Sequence, residues 1–283
     1  MTAQQDSQHE QVADPRRADV EYTRQLLDAA QQSGLVALPD LTVNELLVLG
    51  AGEQAVLDEA LVHAWEGLPD ELRYQRAEAT IAGLVERGLL EPVPAESAAL
   101  AAPDGADPSP GADEQHMRMH PALATILLAR TFPTWIGLCS IQDGQRTDLR
   151  MYGLGDLEDA YRGVVVETLE PAPSKKLTPD TSDNVAATSY HYRLASISAA
   201  ATLLANWAIS LPDADPADEP AQAERLIDLF VHRDGEPLLR WRIQVRPDQQ
   251  GIAHVRTGEQ YEPHARDSLI ELLYRLVSTL RSG

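Results

Sequence analysis

The chain has 283 residues, 43% of them apolar and only 5% aromatic, enough to fill one large core or two ordinary ones with Leu, Ala, Val and Ile. Its 44 acidic residues outnumber 23 basic ones, and the formal net charge of −21 argues against nucleic acid or an anionic membrane as a partner. A single cysteine, Cys139, excludes an internal disulfide and suits a cytoplasmic protein.

Residues 1–19 are rich in Gln, Asp and Glu, have no apolar stretch and read as a disordered tail, neither a signal peptide nor an anchor. A helical N-terminal part follows over 20–91. It opens with a helix over 20–32 and a strand over 35–38 that turns at Pro39-Asp40. Thr42 and Glu45 then stand at capping-box spacing and start a helix with Leu46, Leu47 and Leu49, which stops near Gly50-Ala51-Gly52. Two further helices are predicted over 53–65 and 70–87, the second with Ala77, Ile81, Leu84 and Val85 on one face and Gly88 just past its end. Residues 92–117 read as an acidic flexible linker rich in Pro, Ala and Gly, holding Glu96, Asp104, Asp107, Asp113 and Glu114.

A first α/β block spans 118–170. It has a helix over 119–129, strands over 135–141 and 147–152 joined by the hairpin signal Asp143-Gly144, and a β-branched strand over 164–169. After a linker over 171–183, the second block runs over 184–283. Its charge-free stretch 194–211 carries Ser198, Thr202, Asn206 and Ser210 at every fourth position, the mark of a buried helix with a polar stripe, not of a membrane span. Past a break at 212–220, strands are predicted over 226–231, 238–245 and 252–256, then a closing helix over 264–280. Asp234-Gly235 joins the first two, and Ile227-x-Leu229 precedes it at the spacing with which Ile136-x-Leu138 precedes Asp143-Gly144. The expected fold is therefore α+β: mixed helices and antiparallel hairpins, two pseudo-repeated halves and a helical N-terminal part.

Signatures of catalysis are missing. The chain has no nucleophile elbow, phosphate loop or dinucleotide fingerprint, and Gly153-Leu154-Gly155-Asp156 reads as a turn after a strand. One cysteine and scattered histidines, among them His120, His191, His232, His254 and His264, give no metal-ligand spacing. Asp156, Glu158 and Asp159 suit a helix N-terminus. No catalytic residue, metal or cofactor is expected.

Two groups stand out as binding candidates. Tyr190-His191-Tyr192-Arg193 is the densest polar-aromatic cluster; it lines a ligand pocket or its rings cap the edge of a core. On the closing helix, Leu269, Leu272, Leu273, Leu276 and Leu280 form one apolar stripe, and Ile270, Tyr274 and Val277 form another beside it. That arc is too wide for one neighbour, so the helix sits in a groove between both lobes or presents Ile270, Tyr274 and Val277 to a protein partner.

Residues 83–92, Gly-Leu-Val-Glu-Arg-Gly-Leu-Leu-Glu-Pro, resemble the end of a recognition helix and the start of a wing in winged-helix regulators. Arg73, Arg76 and Arg87 are offset there by Glu71, Glu78 and Glu86, which leaves no basic footprint. A broader likeness rests on Leu-Thr-Val-Asn-Glu-Leu-Leu at 41–47, Gly-Leu-Val-Glu-Arg-Gly-Leu-Leu at 83–90 and His-Pro-Ala-Leu-Ala at 120–124, followed by a hairpin, strands and a closing helix. In that order of elements, residues 35–281 resemble the EspG chaperones associated with type VII secretion in actinobacteria. The resemblance implies a pseudo-duplicated α/β layout, a cytoplasmic location, no catalytic residues and, as partner, a secreted helical protein kept soluble; the acidic insert departs from it. The expected function is non-enzymatic protein binding of a chaperone-like kind. The alternatives are a regulator with a winged-helix module, and a small-molecule binder or enzyme using Tyr190, His191, Tyr192 and Arg193.

Overall fold

The computed structural model describes residues 15–50, 59–93, 117–141, 146–154, 163–170, 189–209, 225–231, 239–245, 252–257 and 260–279. The tail before residue 15, most of the acidic insert, both Asp-Gly turns, Asp156, Glu158, Asp159 and His232 lie outside the described residues.

Helix α1 (Pro15–Ser33) and strands β1 (Leu35–Ala37) and β2 (Leu41–Thr42) lead into helix α2 (Val43–Val48). The expected capping box forms there: Glu45 N–H donates to Thr42 Oγ1 at 3.3 Å and Thr42 N–H to Glu45 Oε2 at 2.7 Å. Helices α3 (Glu59–Glu66) and α4 (Asp70–Glu86) follow. Gly88 ends α4 with φ of +69°, and the N–H groups of Gly88 and Leu89 return to the carbonyls of Val85 and Leu84 at 2.9 and 2.8 Å. This is the left-handed stop that glycine favours. Strand β3 (Leu90–Pro92) then pairs across the acidic insert with β4 (Met117–Met119), and helix α5 (Pro121–Thr131) begins.

The rest is one antiparallel sheet with a helix after every fourth strand. Strands β5 (Trp135–Ile141), β6 (Arg146–Gly153), β7 (Val164–Glu170) and β8 (Ser189–Ala195) precede helix α6 (Ile197–Ile209). Strands β9 (Arg225–Val231), β10 (Leu239–Val245), β11 (Ile252–Thr257) and β12 (Gln260–Ala265) precede helix α7 (Arg266–Thr279). Each set is a meander, and β5 pairs with β9 where the two meet, giving the order β1-β8-β7-β6-β5-β9-β10-β11-β12 in a ten-stranded sheet. The fold is α+β, as the sequence pattern predicts.

Several boundaries differ from those read in the sequence. Residues 190–195, which the sequence presents as a polar-aromatic group and the start of a helix, belong instead to β8, which pairs along its length with β7. The break at 171–183 therefore falls between two neighbouring strands, and the charge-free helix starts at Ile197. Strand β12 was not anticipated. The doubled Ile-x-Leu pattern also divides: Ile136 pairs with Phe230 and Ile227 with Cys139, so adjacent-parity positions place the two isoleucines on opposite sheet faces.

Helices α6 and α7 cover one face of both meanders. Ala200, Leu204 and Ala208 of α6 and Leu269, Leu273 and Val277 of α7 bury against Cys139, Met151, Val164, Val166, Ile227, Leu229, Ile243 and Val255. Small residues on α6 let the helices approach closely, while its polar stripe turns outward, and Arg266 Nε donates to Asn206 Oδ1 at 2.9 Å. On the opposite face, α1, α2, α4 and α5 cover only the first meander, packing Leu27, Leu46, Leu84, Leu123 and Ile126 on Tyr152, Val165, Tyr192 and Leu194. Among the described residues the helices packed on β9–β12 are α6 and α7, both on one face, and no described helix lies over the other.

Candidate functional site

Strand alternation decides the fate of the Tyr190-His191-Tyr192-Arg193 group. Successive side chains leave a strand on opposite sides. Tyr190 and Tyr192 are buried beneath α5, whereas His191 and Arg193 face the other way, His191 Nδ1 lying 3.0 Å from Asp40 Oδ1 and Arg193 being exposed. The four residues do not converge on one pocket.

The two tyrosines instead join a charged cluster inside the molecule. Arg130, near the end of α5, is ion-paired with Glu167 of β7, and both are 2% exposed. Arg130 Nη1 also donates to the hydroxyls of Tyr152 and Tyr192 at 3.3 and 3.2 Å, and its guanidinium lies over the Tyr152 and Tyr190 rings. Glu167 further accepts from Arg150 Nη1 at 3.0 Å and from the Tyr192 hydroxyl at 2.8 Å. Burial pushes both the Tyr152 and Tyr192 hydroxyls well above the usual phenol range, with the Glu167 charge adding to it. Burial works against the Arg130 cation, but the Glu167 charge and the two tyrosines outweigh it and hold Arg130 protonated. Glu167 thus accepts from two guanidinium groups and from two phenols that keep their protons, Tyr152 more distantly at 3.4 Å. Such an arrangement anchors α5 to the sheet.

The closing-helix face is also divided. Val277 is 3% exposed and buried in the core, Ile270 packs against that core, and only Tyr274, at 46%, is exposed. Val277 and Ile270 are therefore core positions, and the helix packs beside α6 on strands β11 and β12.

Large apolar side chains reach solvent elsewhere. The chain has two phenylalanines, Phe132 and Phe230, and neither is in the core. Phe132 caps the C-terminus of α5 and is 72% exposed; Leu128, one turn earlier on the same side of the helix, is 47% exposed. Phe132 stands four residues before Ile136, whose cross-strand partner is Phe230, on the half of the sheet that no described helix covers. The Arg240 guanidinium lies 5.4 Å from the Phe230 ring centroid. Next along β9, Asp228 accepts from Arg240 and Arg242 at 2.8 to 3.1 Å. Burial tends to raise the Asp228 carboxyl, but these hydrogen bonds outweigh it and hold it below the usual carboxylate range. Leu128 and Phe132 thus give the end of α5 an exposed apolar surface, and Phe230, Asp228, Arg240 and Arg242 form a separate aromatic and charged group on β9 and β10. Sequence patterns missed the apolar surface because an exposed Phe at a helix end carries no periodic signal.

In the N-terminal part, α2, α3 and α4 are followed by the β3–β4 pair, and Arg73 is ion-paired with Asp70 and Arg87 with Glu45 at 2.6 Å. Among the described residues, no group of His, Cys, Asp and Glu is arranged to hold a metal, and no helix is long and apolar enough to cross a membrane. No protein-family model matches the chain, and a search of curated proteins finds none similar to it.

Proposed function

We propose that this is a non-enzymatic, chaperone-like protein of the cytoplasm that holds an apolar segment of a protein partner at the exposed end of α5. The observation that carries the reading is the outward apolar pair Leu128 and Phe132 at the end of α5. In a chain poor in aromatics, placing both phenylalanines outside the core retains apolar area for contact with another molecule. The resemblance to EspG chaperones supports the same reading and suggests a secreted helical protein as the class of partner. The test is to isolate the protein with its partner from the native host, identify the partner, and rebuild the complex from purified components. Leu128→Asp with Phe132→Asp is expected to abolish the complex while shifting stability by no more than about 0.5 kcal/mol per site. Recovery of the protein alone, or a complex indifferent to both substitutions, overturns the reading.

A further inference from the structure

Helix α5 carries its charge on the wrong side for a surface helix. Its sequence, Pro-Ala-Leu-Ala-Thr-Ile-Leu-Leu-Ala-Arg-Thr, holds one charged residue, Arg130, and apolar side chains all round. An ordinary surface helix turns its charges to water and its apolar stripe to the core. Here Arg130 is 2% exposed, whereas Ala124, Leu128 and Phe132, at every fourth position, form the stripe that reaches solvent. Arg130 follows Leu128 by two residues, about 200° around the helix, so the two leave it on opposite sides.

Apolar burial alone does not choose this facing. Ala122, Leu123, Ile126 and Ala129 face the core, but a helix turned over would bury Leu128 and Phe132 in their place. What the turned helix lacks is a partner for Glu167. It carries Arg130 out to solvent and leaves a carboxylate that is 2% exposed to Arg150 and the tyrosine hydroxyls, a buried charge short of its closest cation. Thr125, the other buried polar side chain of α5, donates to the Pro121 carbonyl of its own helix at 2.9 Å and is satisfied in either facing. Resting on the protein-binding reading above, we infer that Arg130 and Glu167 are positioning residues of the binding surface: their ion pair fixes the rotation of α5 about its axis and so holds Leu128 and Phe132 outward, where a partner reaches them. The pair selects one facing of a helix whose apolar residues admit two.

The two phenylalanines of the chain make the facing visible. The full chain made with 4-fluorophenylalanine gives one fluorine resonance from Phe132 and one from Phe230 of β9, an internal reference, and Phe132→Leu assigns them. The difference in chemical shift between H2O and D2O reads the exposure of each ring. The native chain is expected to show a single Phe132 line with the full isotope shift of an exposed ring. Arg130→Met with Glu167→Leu removes both charges and keeps their bulk; a second Phe132 line of reduced isotope shift, holding about a tenth of the signal or more, is then expected, with the Phe230 line unmoved. Glu167→Gln, which keeps an acceptor and removes the charge, is the milder variant and should show the same second line at lower population. The double variant decides wherever it folds, and Glu167→Gln where it does not. A single, fully shifted Phe132 line in the deciding variant overturns the inference, because packing then sets the facing. Unfolding of both variants overturns it too, because the pair then holds the fold and not the facing of one helix. The measurement uses no partner, so the two readings fail separately. If Phe132 stays outward without the pair, this inference falls and the complex test with Leu128→Asp and Phe132→Asp is untouched. If the second line appears but the native complex ignores those substitutions, the protein-binding reading falls and the pair is left as a lock on the helix alone.

Discussion

Glu167 is a charge with nowhere to go but its neighbours. A carboxylate taken out of water is tolerated only when donors replace its hydration, and here Arg130, Arg150 and Tyr192 supply them. Removing one partner leaves a buried charge uncompensated, so Arg130→Met is expected to cost about 3 to 5 kcal/mol in denaturant unfolding. The double variant Arg130→Met with Glu167→Leu should be less unstable than the single one; a single-variant loss below about 1 kcal/mol would mark the pair as no better than a surface ion pair. The tyrosines add a pH dependence. Unfolded tyrosines ionise near pH 10, whereas folded Tyr152 and Tyr192 keep their protons beyond that point. The native state then binds protons that the unfolded state has released, so stability is full below about pH 10 and falls as the pH rises past it. Denaturant midpoints measured from pH 8 to 11 should show that fall, and Tyr152→Phe with Tyr192→Phe should flatten it. Arg130 and Glu167 were each visible in the sequence as an isolated charge in an apolar run, of opposite sign. Only the packing of α5 on β7 joins them, and periodicity carries no such long-range information.

At the scale of elements, α7 separates two kinds of apolar position that the sequence presents as one arc. Val277→Asp places a charge in the shared core and is expected to cost at least about 3 kcal/mol, whereas Tyr274→Asp should change stability by less than about 0.5 kcal/mol. Thermal melts of both variants check this, and equal losses would mean that the helix is packed on all sides. Strands β5, β6, β7, β9, β10 and β11 were legible because β-branched or alternating apolar runs flank turn signals. Strand β8 was not, although Tyr190, Tyr192 and Leu194 bury at every second position, because Leu194 and Ala195 merge with the charge-free run of α6. Strand β12 was illegible for another reason. It is polar, contains Pro263 and is held by its pairing with β11, so its conformation comes from a neighbour. Gly153 is a similar case: the Gly-x-Gly reads as a simple turn, yet a Cβ there would collide with the Trp135 indole. The glycine is needed for close approach.

Taken whole, the molecule is asymmetric although its sheet is built of two like meanders. The N-terminal helices and α5 make the first meander a layer buried on both faces, whereas the described helices cover only one face of the second. Pro263 lies in β12, the strand at the far end of the sheet, where a residue without an N–H weakens the edge as a template for a further strand. The feature that distinguishes the opposite end is that β1 and β2, before residue 43, pair with β8 at 189–195. During synthesis the N-terminal segment waits for some 150 residues to be added, on the order of ten seconds at cellular elongation rates, before its partner strand leaves the ribosome. The second meander joins strands that are neighbours in the chain and closes as fast as it emerges. Vectorial synthesis therefore leaves α1 to α4 exposed longest, and makes the N-terminal part the place where the nascent chain itself most needs protection.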